Sequence, residues 1–127
     1  SGSGQVQRDA AYGQSLAYLR AGLVNDAAVA ATRAPQSQAR ASELQTSILA
    51  ERALGAFERG RYVEALVALD QRAQIAPERV DLMVIRGYAY MKLYRLGDAR
   101  RVFEAAAGTG NRNAIRGLAD VRNMINP

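Results

Sequence analysis

One stretch of the chain is repeated further along the sequence with residues of similar type but different identity. Residues 53–72, ALGAFERGRYVEALVALDQR, align with residues 87–106, GYAYMKLYRLGDARRVFEAA. In this alignment small residues meet small ones and large apolar residues meet large ones: Ala53 with Gly87, Ala65 with Ala99, Leu54 with Tyr88, Phe57 with Met91, and Leu69 with Phe103. Similarity at a fixed period of this size predicts an architecture of stacked supersecondary units.

A third and weaker copy precedes these two. Asp26-Ala27 matches Glu64-Ala65 if a short insertion is placed in APQSQ, residues 34–38, whose composition is typical of a loop. In place of the large residues Leu69 and Phe103, this copy has Ala31. The repeats are therefore predicted at about residues 8–45, 46–79 and 80–113.

Each copy is predicted to form two helices. The segment from Val80 to Leu93 is apolar nearly all round, so it should contact neighbours on more than one side. Its partner, Asp98 to Ala107, has a narrower apolar stripe with the spacing of three and four that one buried helical face requires. Gly97-Asp98 is expected to supply the turn and N-cap between them. Since no segment alternates over enough residues for a strand, the predicted class is all-α.

The two ends of the chain are interpreted separately. Residues 1–4, SGSG without an initiator Met, are interpreted as a cloning remnant, and residues 5–127 as a single domain. Residues 114–126 are predicted to be a closing helix with Ile115, Leu118, Val121 and Ile125 on its apolar side; the alternative is the first half of a further repeat. No apolar run approaches the length of a membrane span, so no membrane insertion is expected.

At these positions the sequence resembles the tetratricopeptide repeat family, whose unit is a pair of antiparallel helices of about 34 residues. The residues that carry the resemblance are Gly87, Tyr90, Ala99, Phe103 and Ala106 in the last copy and Ala53, Gly60, Tyr62, Ala65, Leu69 and Pro77 in the middle one. In departure from the family pattern, Met83 replaces the usual Trp, and Arg52 and Arg86 stand where Leu is usual. The resemblance implies an α-solenoid, a right-handed superhelix of antiparallel helix pairs.

In this family the first helix of each copy lines a concave groove that binds peptides or partner helices. The resemblance assigns these groove and rim residues: Tyr12, Leu16, Leu19, Leu54, Phe57, Val84, Tyr88, Met91 and Lys92. The positions where chaperone adaptors carry a Lys and Asn carboxylate clamp hold Ala50, Leu54, Val84 and Tyr88. An apolar groove with tyrosines suits an amphipathic helix or an extended hydrophobic segment. The alternative is that these stripes are core, or that a long helix over residues 36–59 fills the groove.

The residues that most catalytic and metal sites need are missing. The chain has no His and no Cys, which removes the usual proton carrier near neutral pH and the thiol nucleophile. Its carboxylates lack the spacing of a calcium loop. GTGN, residues 108–111, follows a predicted helix and lacks the Lys of a phosphate loop. The sequence predicts neither an enzyme, nor a cofactor, nor a metal site.

The basic residues do not form a nucleic-acid signature. The net charge is +5, with arginines spread among twelve acidic residues, a distribution typical of solvated helix faces. The best candidate cluster is Arg59, Arg61, Arg95, Arg100 and Arg101. Because no aromatic residue is interleaved for base stacking, nucleic acid is not the expected partner.

Three functions are compatible with this pattern. The first is a scaffold that recruits a partner polypeptide through the apolar groove, as part of a larger bacterial assembly of the envelope or of polymer export. The second is a small secretion chaperone that shields an apolar substrate segment, and the third is a structural spacer or self-association unit. The Ala- and Arg-rich composition suggests a GC-rich bacterial genome, and the compartment stays open between periplasm and cytoplasm.

Overall fold

The computed structural model describes residues 2–127, and within this range the chain forms seven α-helices and no strand. They are α1 Gly2–Arg20, α2 Val24–Ala31, α3 Gln38–Glu58, α4 Tyr62–Ala73, α5 Val80–Lys92, α6 Leu96–Ala107 and α7 Arg112–Ile125. The predicted all-α class is confirmed. The chain divides into two compact units, of which the first ends at Arg52 and the second runs from Ala53 to Pro127. Across residues 2–127, no helix combines the length and the apolar character that a membrane span requires.

One turn recurs with the sequence repeat. Gly22, Gly60 and Tyr94 have left-handed φ angles of 75°, 75° and 58°, and they stand at matching positions of the three copies. A left-handed residue directly after a helix is the usual C-terminal cap, and Gly adopts it with the least strain. Tyr94 adopts this conformation although it is less favourable for tyrosine than for glycine.

The hydrogen bonds of the three turns are also the same. The residues after the left-handed position, Leu23, Arg61 and Arg95, have φ between −94° and −87° and ψ between 69° and 73°. Each donates its backbone N–H to a carbonyl five residues earlier: Leu23 to Tyr18 at 2.8 Å, Arg61 to Ala56 at 2.8 Å, and Arg95 to Tyr90 at 2.9 Å. This is the longer hydrogen bond of a Schellman cap. The turn therefore recurs at matching positions of the sequence, including in the weakest copy.

The start of α6 differs from the sequence-based expectation. α6 begins at Leu96, so Gly97 and Asp98 lie inside the helix rather than forming its turn and cap. The reason is that Tyr94 already adopts the left-handed conformation, which lets the chain reverse before Gly97. Asp98 sits in the first turn of α6, where a carboxylate interacts favourably with the helix dipole.

Phe103 lies at the centre of the second unit. Its side chain is fully buried and packs between Gly87 of α5 and Gly117 of α7. A Cβ atom added at Gly87 would lie 2.6 Å from the ring, and one added at Gly117 would clash with the same ring. Because any larger residue would overlap Phe103, both glycines are required by close approach. The surrounding core consists of Val84, Ala99, Phe103, Ala106, Ala114 and Val121.

An ion network fixes the link between α4 and α5. The Arg86 side chain, 11% exposed, donates to Asp70 at 2.6 Å and to both oxygens of Glu78 at 2.8 and 3.0 Å. Burial alone would lower the pKa of Arg86, but the hydrogen bonds to Glu78 and Asp70 outweigh it and the pKa is raised. Paired bonds of this kind are strong and directional. Arg86 thus joins α4 to α5 through polar contacts.

Small side chains dominate the first unit. Ser15 of α1 is fully buried and its hydroxyl donates to the Ala27 carbonyl of α2 at 2.9 Å. The buried residues of α2 are both alanines, Ala27 and Ala30. These short side chains let α1 and α2 approach closely. They contribute little apolar volume to the rest of the unit.

Candidate functional site

The α5 helix of the second unit presents half-buried apolar side chains. Leu82, Val84, Gly87 and Ala89 are buried on this helix. Tyr88 and Met91 are only partly buried, although both pack against the core around Phe103. They therefore combine a fixed position with a partly exposed surface.

Tyr88 has an apolar body and a polar tip. Its ring meets that of Phe103 edge to face, with 5.0 Å between centroids and 75° between planes. Burial raises the pKa of Tyr88, and the Asp120 carboxylate of α7 raises it further, while Arg116 opposes the shift. The hydroxyl therefore lies within the field of an acid and a base that both belong to α7.

The other groove residues predicted in the second unit occupy different environments. Val84 is 8% exposed and belongs to the core shared with α6 and α7, so it offers little surface to a partner. Lys92 lies at the end of α5 and has no carboxylate partner within residues 2–127. Leu54 and Phe57 are half-buried on the C-terminal part of α3. The Phe57 ring meets Tyr62 edge to face at 5.4 Å.

The predicted groove residues of the first unit lie on α1. Tyr12 donates its hydroxyl to Glu43 at 2.9 Å, and the Arg40 guanidinium lies 4.3 Å from the ring centroid. The hydrogen bond to Glu43 raises the pKa of Tyr12. Tyr12 thus joins α1 to α3 and its polar end is already engaged, whereas Leu16 and Leu19 offer apolar side chains that are half-buried.

A cavity of about 390 Å³ lies in the first unit. Its wall is formed by α2, the loop at residues 32–37 and the first two thirds of α3. It is lined by Ala28, Ala31, Thr32, Ala34, Pro35, Gln36, Ala41, Leu44, Gln45, Ile48 and Arg52. None of the residues predicted from the sequence to bind a partner belongs to it. The signal that could have indicated it was Ala31, which stands where the other copies have Leu69 and Phe103.

Gln36 holds the loop side of this cavity in place. Its Nε2 donates to the carbonyl of Arg8 on α1 at 2.9 Å and to that of Ala34 at 3.3 Å. These bonds connect the loop to α1, so the wall is fixed rather than formed by a free loop.

Most of the arginine cluster is neutralised locally. Arg61 pairs with Glu64 at 3.7 Å, Arg95 with Asp98 at 2.9 Å, and Arg100 with Glu104 at 3.8 Å; Arg101 also pairs with Asp98. Arg95 additionally stacks on Tyr90 at 4.7 Å. These pairs reduce the positive potential available to a polyanion.

No protein-family model matches the chain, and comparison with curated proteins and with solved structures gives no significant match. In the part of the chain that the structure describes, no group of three or more acidic residues comes together in a way that could hold a metal ion.

Proposed function

We propose that the chain is a tetratricopeptide-like solenoid that binds a partner polypeptide and carries no catalytic activity. In this proposal α1–α2, α3–α4 and α5–α6 are antiparallel pairs stacked in a right-handed superhelix, and α7 is the closing helix. The support is the turn that recurs with the same dihedral angles and hydrogen bonds after Tyr18, Ala56 and Tyr90. A unit of this kind buries its apolar face by stacking on its neighbours.

The binding surface in this proposal lies on α5 beside α7. The observation that carries it is the half-buried pair Tyr88 and Met91, anchored on the core, with the charged side chains Asp120 and Arg116 near the tyrosine. Tyrosine and methionine give large, adaptable contact area, and the charges beside them can orient a partner. The expected partner is an amphipathic helix or an extended apolar segment.

The proposed surface extends from this pair to further residues. Lys92 supplies a positive charge at the end of α5, while Leu54 and Phe57 add apolar area from α3. Tyr12, Leu16 and Leu19 belong to the first unit, and their part in the groove stays a prediction. A bacterial scaffold of envelope or polymer-export machinery and a secretion chaperone would both use such a surface.

The test uses peptides selected from a random display library against the whole chain. We expect the selected peptides to be amphipathic and to bind with micromolar affinity. Met91→Ala combined with Lys92→Glu should weaken binding about tenfold, a loss typical of one anchor and one rim charge. Val63→Ala with Val67→Ala is the matched control, because both valines are exposed on α4, at 61% and 50%.

Circular dichroism of the variants controls for loss of helix. Equal peptide binding by wild type and the Met91/Lys92 variant, or equal loss in the α4 control, would contradict the α5 surface.

A second candidate function is self-association through α7. Ile115, Met124 and Ile125 of this helix are 51%, 41% and 42% exposed. Met124 and Ile125 are adjacent at the C-terminal end of the helix, where association with a second copy would cover them. Light scattering over a concentration series separates the candidates, since a monomer at every concentration removes this one.

A further inference from the structure

The cavity of the first unit is bordered by a position at which the other copies carry a large side chain. Leu69 and Phe103, which occupy the equivalent position in those copies, are fully buried. Ala31 has a much shorter side chain and borders the cavity. A half-open space of this size, lined by both apolar and polar residues, is large enough for a small ligand.

The same region also lacks a carboxylate. Arg86 is held by Asp70 and Glu78 in the second unit. In the alignment of the copies, the equivalent of Arg86 is Arg52 and the equivalent of Asp70 is Thr32. Both Arg52 and Thr32 line the cavity. The first unit therefore retains the arginine of the ion network and has a neutral hydroxyl where the acid would be.

Arg52 has no ion pair of its own. Within residues 2–127, no carboxylate lies at salt-bridge distance from its guanidinium, whereas Arg40 of the same helix pairs with Asp9 at 2.7 Å. A guanidinium at the edge of this cavity favours a carboxylate, which it can bind through two parallel hydrogen bonds.

The lining residues of α3 give the cavity its length. Ala41, Leu44, Ile48 and Arg52 are spaced three and four apart, so they share one face of the helix. At a rise of 1.5 Å per residue this face is about 16 Å long from Ala41 to Arg52. Leu44 and Ile48 are buried, and the charged residue lies at the C-terminal end. A medium-chain alkyl group with a terminal carboxylate matches both the length and the position of the charge.

We propose that this cavity binds a medium-chain fatty carboxylate, with its alkyl chain between α2 and α3 and its carboxylate on Arg52. The ligand supplies the two groups that the first copy lacks relative to the others, an apolar side chain at position 31 and an acid at position 32. This site is separate from the α5 surface, and neither proposal depends on the other.

The first experiment is a calorimetric titration of the full chain with decanoate, below its micellar concentration. We expect saturable binding at one site. Decyltrimethylammonium has the same chain with a positive charge, and butanoate has the carboxylate with almost no chain; both should bind at least about tenfold more weakly. Equal affinity for the cationic amphiphile, or no saturable binding of decanoate, would overturn the proposal.

Variants of the cavity wall locate the site. Ala31→Phe should abolish decanoate binding by occupying the cavity, while Val29→Phe, on an exposed position of the same helix, should leave it unchanged. If Ala31→Phe does not fold, Ala31→Leu supplies a smaller filling residue with the same expected direction. Undiminished decanoate binding by a folded Ala31 variant would place the ligand elsewhere and overturn the proposal.

A second pair of variants tests the charge. Thr32→Asp should reduce decanoate affinity about tenfold by giving Arg52 an internal partner, and Thr32→Asn, of similar shape and neutral, should not. Arg52→Gln should give a similar loss, while Arg59→Gln, which removes an arginine just beyond the end of the same helix, should leave affinity unchanged. Decanoate affinity that is insensitive to both Thr32→Asp and Arg52→Gln would contradict the role of Arg52.

Discussion

The α2 and α6 helices each begin after a turn of the same type, but their buried faces pack differently. Each follows a left-handed residue and a Schellman hydrogen bond, at Gly22 and at Tyr94. In α6 the fully buried Phe103 fills the space between Gly87 and Gly117, whereas in α2 the equivalent Ala31 borders a cavity of about 390 Å³. The copies therefore share the turn and differ in whether a large side chain stands beside it.

The two equivalent arginines also differ in their ion pairs. Arg86 is enclosed by two carboxylates, and its counterpart Arg52 has none within the described residues. The copies with a large buried side chain and a paired arginine should therefore be locally more stable than the copy without them. The free energy of local opening depends on local packing and on buried hydrogen bonds.

The largest expected effect is at Phe103. Phe103→Ala should lower the free energy of unfolding by about 4 kcal/mol, because the residue is fully buried between two glycines that cannot close the gap. Urea unfolding followed by circular dichroism measures the change, and Val63→Ala on the exposed face of α4 should stay within about 0.5 kcal/mol. A loss below about 1 kcal/mol for Phe103→Ala would contradict the claim that a large side chain at this position stabilises its copy.

The next effect concerns the two equivalent arginines. Arg86→Met should cost about 2 kcal/mol, since it leaves Glu78, 19% exposed, without its partner; the contribution of Asp70, 66% exposed, is reduced by solvent. Arg52→Met should leave the unfolding free energy unchanged, because that guanidinium has no carboxylate partner in residues 2–127. Equal losses at both positions would show that Arg52 is held by contacts of equal strength.

The smallest effect is at the turn. Tyr94→Gly should raise the free energy of unfolding by about 1 kcal/mol, because glycine adopts φ near 58° without strain and the side chain is 80% exposed. Gly60→Ala, at the equivalent position with φ of 75°, should lower it by a similar amount. Chemical denaturation of both variants checks the pair, and changes of the same sign would contradict the equivalence of the turns.

The helices of the second unit could be predicted from the sequence because they depend on local, periodic information. Apolar residues three and four apart and small residues at a fixed period placed α5 and α6 with little error. The start of α6 was missed because Tyr94 adopts a conformation usually reserved for glycine, and nothing in the pattern around Gly97-Asp98 shows that the chain has already turned.

The sites were harder to predict than the helices. Whether a side chain on α5 is exposed depends on what packs against it, and Val84 is buried by contacts with α6 and α7 that no local pattern encodes. The cavity was missed for the same reason. An alanine at position 31 leaves a space only if Leu44, Ile48 and the loop do not move in to fill it.

Amide hydrogen exchange, measured residue by residue, tests the central claim that side-chain filling sets the stability of each copy. The amides of α6 should exchange among the slowest in the chain and those of α2 much faster, and Ala31→Leu should slow exchange in α2 while leaving α6 unchanged. Protection of α2 equal to that of α6 in the wild type, or no response of α2 to Ala31→Leu, would contradict the account.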